Sequence, residues 1–297
     1  MRSGLHIMQP TRQRWAGLLW VSPWLLGLLL FFAVPMAMSL YYSTTEYTML
    51  ESPLGVGLEN YSSLLRDPVF HRTIVNTLIY AAFVIPLSII LALAIAGLLD
   101  FDSKLSHFVR LLVFAPTVVP LVASAMIWLW LFNGENGLIN TGLAVIGLSG
   151  PNWLQEQGFA MAALVVMALW SIGQPVVIYL AALQDVPKHL YEAGELDGMG
   201  PLRKFVHVAM PSIAPAIFFN TIIQTITAWQ VFAAPYIMTE GGPDRSTYFY
   251  SHYLYDNAFL YQRMGYASAM AWVQLMLIGV CILGIYAVTR RLWNTER

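Results

Sequence analysis

The chain has 297 residues, of which 58% are hydrophobic and 10% charged, with a mean hydropathy of +0.62. Soluble proteins carry roughly 25% charged residues, and a chain this size cannot hide so much apolar surface from water, so a membrane protein is expected. A net charge of −1 leaves no electrostatic footprint for nucleic acid, and one cysteine, Cys281, excludes an internal disulfide or a cysteine zinc site. The six histidines lie outside the apolar runs without metal-ligand spacing. No phosphate-binding loop and no Gly-x-Ser-x-Gly elbow occurs. The expectation is no catalytic residue, no metal and no cofactor on this chain.

Six apolar runs follow in chain order, at 15–40, 74–99, 111–132, 158–183, 213–238 and 267–288. Each is long enough to cross a hydrocarbon core of roughly 30 Å as a helix, and none shows the ten-residue alternation of a membrane strand. The first run is too long for a signal-peptide core and lacks a clear cleavage site, so it reads as a retained span. None of the six contains Asp, Glu, Lys, Arg or His. A charge in mid-span is kept mainly for ion or proton work, so its absence argues against an ion-coupled carrier and removes the acid–base groups of an intramembrane enzyme. Prolines interrupt the runs (Pro23, Pro35, Pro86, Pro116, Pro120, Pro175, Pro215 and Pro235). They suit a bundle around a cavity and equally suit ordinary membrane helices.

Orientation follows from Lys and Arg. The amino terminus, the loops after runs two and four, and the carboxyl tail carry 11 of them; the opposite loops carry four, Arg66, Arg72, Arg245 and Arg263. Both termini are expected in the cytoplasm.

The segment at 184–212, between runs four and five, is long for a connector. Asp185 and Pro187 read as a helix start, with Lys188 and Glu192 as an i,i+4 pair. Leu190, Ala193, Gly194 and Asp197 fall on one small-residue face that another surface could approach closely. Gly198 fits a left-handed helix stop, and Gly200-Pro201 turns the chain into a second short helix. A helix-turn-helix on the cytoplasmic face reads either as a docking element or as a solvated loop with capped ends.

Polar groups inside the runs are the other signal. Asn220, Gln224 and Thr227 lie at i, i+4 and i+7, and Trp229 and Gln230 follow within a turn. Trp170 and Gln174 are one turn apart in run four, and run six has Trp272 and Gln274. Amides and aromatic faces match sugars, but polar groups in hydrocarbon also serve as glue between helices. Both readings stand on the residues alone.

A resemblance narrows the field. Tyr191-Glu192-Ala193-Gly194, then Leu196-Asp197-Gly198-Met199-Gly200, then Phe205, Pro211 and Pro215 resemble the "EAA" loop of ABC importer permeases. Two departures are visible: Gly194 stands for the second alanine, and Met210 precedes Pro211 where leucine is usual. Gly57-Leu58-Glu59-Asn60-Tyr61, Asn76-Thr77, Thr239-Glu240-Gly241-Gly242-Pro243 with Thr247, and Gly265-Tyr266-Ala267-Ser268-Ala269 are similar to the sugar-type subfamily. The nearest group is the permeases for oligosaccharides and glycerol 3-phosphate.

The resemblance implies an all-α, six-span permease domain at 15–288, with cytoplasmic tails at 1–14 and 289–297, in a bacterial inner membrane. It implies a second permease (a different chain), two cytoplasmic ATPases holding ATP and Mg, an extracytoplasmic solute-binding protein, and surrounding lipid. The loop would be the coupling helix, with Glu192, Ala193, Gly194, Asp197, Gly198, Gly200 and Pro211 as its residues. Glu192 would fix the loop through a helix N-terminal turn or a basic partner, and Asp197 would cap the second short helix or pair across the interface. Asn220, Gln224, Thr227, Gln230, Trp170, Gln174 and Gln274 are the candidate pathway residues for a sugar or oligosaccharide. The alternatives are a glycerol 3-phosphate or polyol permease, an ion-coupled carrier, or a non-transporting assembly subunit.

Overall fold

The computed structural model describes residues 10–100 and 103–294; Arg2, Arg297 and the outermost parts of both tails lie outside them. The chain enters in α1 (Pro10–Leu28), which passes through a π turn at Leu29–Ala33 into α2 (Val34–Ser43). The extra residue of that turn precedes Pro35, whose ring cannot share the carbonyl four residues back. A short antiparallel pair, β1 (Thr45–Glu46) and β2 (Leu54–Gly55), joins Thr45 to Gly55 and Glu46 to Leu54. It is the one departure from an all-α chain among the described residues.

Next come α3 (Glu59–Arg66), α4 (Pro68–Leu98), α5 (Lys104–Val118), α6 (Leu121–Leu131) and α7 (Leu138–Val145). They are followed by α8 (Phe159–Trp170), α9 (Gly173–Gln184), α10 (Lys188–Leu196) and α11 (Pro201–Lys204), then by a π turn at Phe205–Ala209 and α12 (Met210–Ser212). The chain closes with α13 (Ala214–Trp229), α14 (Ala233–Met238), α15 (Tyr250–Tyr255) and α16 (Met264–Asn294). Four stretches are long and apolar enough to cross a membrane: Leu19–Ser43, Pro68–Leu98, Ala214–Met238 and Met264–Arg291. Two bent pairs, α5 with α6 and α8 with α9, raise this to as many as six if each pair is one span.

The runs at 111–132 and 158–183, each interrupted by proline in the sequence, are each two helices with a bend between them. Between α5 and α6 the axis turns by 100°. Pro120 forbids helical backbone at the residue before it, and Val119 is extended at φ −72°, ψ 128°. Between α8 and α9 the turn is 47° at Ser171–Ile172, because Pro175 neither donates to nor clears the Ser171 carbonyl. Helices also overrun the apolar runs. Helix α4 begins six residues before 74, where Asp67 Oδ1 accepts from Val69 N (2.8 Å) and Phe70 N (3.3 Å) and Pro68 opens the first turn. A helix ends where its end groups are satisfied, not where hydrocarbon ends.

The chain divides into two compact units: residues up to Leu64 with Asn257–Trp272, and Leu65–Asp256 with the chain from Val273 onward. In the first, Asn60 Nδ2 donates to Ser43 O (3.0 Å) and Thr45 O (2.9 Å), and Tyr61 OH donates to Ser43 Oγ (2.8 Å). Gly265 lies so near that a Cβ there would sit 2.0 Å from Thr45 O. The second unit holds two apolar cores. One gathers Tyr80, Val84, Phe132, Leu164 and Phe249; the other gathers Leu93, Ile172, Tyr179, Leu183 and Ile213. Its outward face is also apolar, with Phe83 57% and Ile90 64% exposed on α4, as suits a surface solvated by lipid.

Candidate functional site

Two features of the second unit carry chemistry: a cavity among the helices and the loop at 184–212. The cavity has a volume of about 530 Å³, within the roughly 300–1,000 Å³ of small-molecule sites. Asn220, Gln224 and Thr227 line it from one face of α13, as their i, i+4, i+7 spacing predicts. Gln230 joins them just past the end of α13, and Gln174 enters from the first turn of α9. Sequence reasoning missed the wall from α4, where Tyr80, Val84 and Ser88 stand at i, i+4 and i+8. That spacing was the available signal, but one tyrosine and one serine do not make a visible polar stripe.

The hydrogen bonds separate pathway candidates from glue. Gln224 Nε2 donates to Ser88 Oγ (2.9 Å), tying α13 to α4 while its Oε1 remains available. Thr227 Oγ1 donates to Ile223 O (2.9 Å), and Asn220 Nδ2, buried, reaches Ala216 O at 3.4 Å. The exposed carboxamides of Gln174 and Gln230 form no hydrogen bond with the described residues. Trp170 faces a second, smaller cavity of about 230 Å³ that shares Ser171 and Gln174 with the first, and its ring meets Trp128 edge-on at 5.9 Å. Gln274 is outside both cavities. Its Nε2 donates to Trp229 O (2.7 Å) and Ser251 Oγ (3.2 Å), so it caps the end of α13.

In the loop, α10 ends in a Schellman motif. Gly198 has φ +72°, its N–H donates to Glu195 O (3.0 Å), and Met199 N–H donates to Gly194 O (2.9 Å). Gly200 is extended and Pro201 opens α11. Glu192, Ala193, Asp197, Gly198, Gly200 and Pro211 are exposed, and so are the apolar side chains of Leu196 (91%) and Leu202 (76%).

Several details differ from the sequence expectation. Gly194 is buried, facing Lys204, Met199 and Val208, so the small residue brings the two short helices together and is absent from the outer face. The helix start lies later than expected: Asp185 closes α9, and Pro187 precedes the first residue of α10. The ion pair in the loop joins Lys204 Nζ to Glu195 Oε1 at 3.5 Å, not Lys188 to Glu192. Asp197 closes α10 and does not cap α11, whose N-cap is Gly200. Glu192 forms no side-chain bond to the described residues, so it does not hold the loop from within. Phe205 anchors the hairpin instead: its ring lies where a Cβ on Gly97 would be 2.8 Å away. Burial and the nearby Asp100 carboxylate push the Tyr191 hydroxyl above its usual range, while burial, partly offset by Arg110, raises Asp100 itself.

The segments at 76–77 and 239–250 are similarly self-bonded. Asn76 Nδ2 donates to Arg245 O (2.6 Å) and Tyr248 O (3.0 Å), and Thr77 Oγ1 accepts from Tyr250 N (3.0 Å). Thr247 Oγ1 meets Thr239 Oγ1 (2.7 Å) and donates to Gly242 O (2.6 Å).

A helical chain with an apolar outer surface, a largely apolar cavity carrying several amides and hydroxyls, and an exposed helix-turn-helix is built as a membrane transport component. Residues 84–293 match the family described as "Binding-protein-dependent transport system inner membrane component", and the chain belongs to that family. It is 35% identical to the probable ABC transporter permease protein YesP of Bacillus subtilis, over 91% of this chain and 89% of that one. It is 30% identical to the sn-glycerol-3-phosphate transport system permease protein UgpA of Pectobacterium atrosepticum, over 94% and 96%. Its fold matches a crystal structure of a bacterial ABC transporter involved in the import of the acidic polysaccharide alginate, with a TM-score of 0.80 at 22% identity, over 97% and 99%. The chain is thus an inner-membrane ABC importer permease and not a catalytic enzyme.

Proposed function

We propose that this chain is one half of a sugar or oligosaccharide pathway, with six spans and both termini in the cytoplasm. The cavity lined by Asn220, Gln224, Thr227, Gln230 and Gln174 carries this reading, because amides and hydroxyls facing a membrane-buried space match sugar hydroxyls. A second permease completes the pathway, and an extracytoplasmic binding protein delivers the solute. Two cytoplasmic ATPases bind ATP and Mg and hydrolyse the nucleotide. The exposed Glu192–Gly198 turn, with Leu196 and Leu202 beside it, docks on one ATPase and transmits its closure. This is a two-state element biased by a bound partner. The similarity to UgpA along almost the whole chain favours a phosphorylated polyol as the second reading.

Purification in mild detergent followed by mass spectrometry tests the assembly. Recovery of an ATPase and a second permease, with ATP-dependent uptake after reconstitution, is the expected result. Transport by the chain alone would refute it.

A further inference from the structure

We infer that this cavity admits uncharged polyhydroxylated solutes and rejects anionic ones. The inference rests on the cavity being part of the pathway, and it concerns which member of the sugar class passes. Among the described residues that line it there is no Asp, Glu, Lys, Arg or His, and Arg110 lines a separate groove with Gln184. A carboxylate, phosphate or sulfonate entering the cavity would leave water without a counter-charge from this chain, which low-dielectric surroundings oppose.

The hydrogen-bonding balance points the same way. Thr227 and Ser171 have already spent their donors on Ile223 O (2.9 Å) and Ala168 O (3.2 Å), so each offers its oxygen as an acceptor. Gln224 gives one amide N–H to Ser88 Oγ and keeps its other N–H and Oε1. Gln174 and Gln230 each offer donors and an acceptor. A wall that offers both donors and acceptors suits hydroxyls, which donate as well as accept. An anionic group only accepts and leaves the Thr227 and Ser171 oxygens without donors. Val84, Ile223 and Phe232 supply the apolar faces against which the C–H surfaces of sugar rings rest. Glycerol 3-phosphate and alginate, named for the related protein and the similar structure, both carry negative charge. Likeness to those two therefore does not carry their substrates over.

The test compares cells holding the intact transporter with isogenic cells lacking this chain, supplied with a defined mixture. The uncharged members are maltotriose, cellotriose and xylotriose; the anionic members are triguluronate, trigalacturonate and glycerol 3-phosphate. Intracellular accumulation is read by mass spectrometry. Chain-dependent uptake confined to uncharged members is expected. Chain-dependent uptake of any anionic member overturns the inference while leaving the importer reading intact. No chain-dependent uptake at all refutes the sugar-pathway reading, and this inference falls with it. Gln230→Lys supplies the second arm: with assembly unchanged by co-purification, uptake of the uncharged solute should fall at least 10-fold. Unaltered uptake would remove Gln230, and the charge argument built on it, from selectivity.

Discussion

Three glycines do different work, and their surroundings say which. A Cβ on Gly198 would meet nothing within 4 Å, so a side chain there costs only the left-handed backbone, about 1 kcal/mol. Gly198→Lys should therefore insert and accumulate normally while ATP-dependent uptake drops at least about tenfold, because the new side chain lies on the exposed turn. Normal uptake in vesicles of matched protein content would rule out coupling through this turn. Gly265 is the opposite case. Gly265→Ala drives a methyl to 2.0 Å from Thr45 O, and forced overpacking of this kind costs about 1–3 kcal/mol. A lower melting temperature in detergent is expected, and an unchanged one would show that the backbone yields without cost. Gly194 is the third: it faces inward, and a Cβ there would rest at ordinary contact distance, 3.4–3.6 Å, from Lys204, Met199 and Val208, so the site has room for a methyl.

At the scale of elements, α15 carries a titratable group in an apolar setting. His252 is buried, with its Nδ1 unbonded and its Nε2 3.8 Å from Asp256 Oδ2, which also accepts from Tyr248 OH. The rings of Phe232, Tyr236 and Tyr248 stand edge-on around it. Burial lowers its pKa below the ordinary 6.5, with Asp256 and Glu240 pulling the other way. The unfolded chain therefore takes up a proton at a higher pH than the folded one. The stability contributed by neutral His252 is fully present above 6.5 and is lost as pH falls below it. Thermal melts from about pH 7.5 to about pH 5.5 should show falling stability that His252→Gln flattens. An equal slope in the variant would assign the effect to other groups. The same scale explains the bends. Pro120 and Pro175 were legible as interruptions, yet one yields 100° and the other 47°, because Val119 and Pro120 are both extended at ψ 128° and 135° while Ser171 and Ile172 keep nearly helical backbone.

At the scale of the molecule, the division between transport and scaffolding rests on the cavity. Replacing Asn220 and Gln224 together by Ala and Leu removes two of its amides and the link from Gln224 to Ser88. Uptake should fall at least about tenfold, and a melting measurement separates this from lost stability. Intact uptake would place the solute contacts on the second permease.

Membrane residence, helical structure in each of the six apolar runs, the left-handed stop at Gly198 and the α13 stripe were written in short windows of sequence. Hydropathy, backbone sterics and helical period act over a few residues and need no partner. The tertiary structure decided what those windows left open. Gln224 faces Ser88, 136 residues away, and Gln274 is spent on Trp229, 45 residues away. Both glutamines looked alike in sequence, yet one lines the cavity and the other caps a helix end. Gly194 likewise turned inward because α11 packs across it. A polar side chain in hydrocarbon must find a partner, and which partner it finds depends on helices brought together only by the fold.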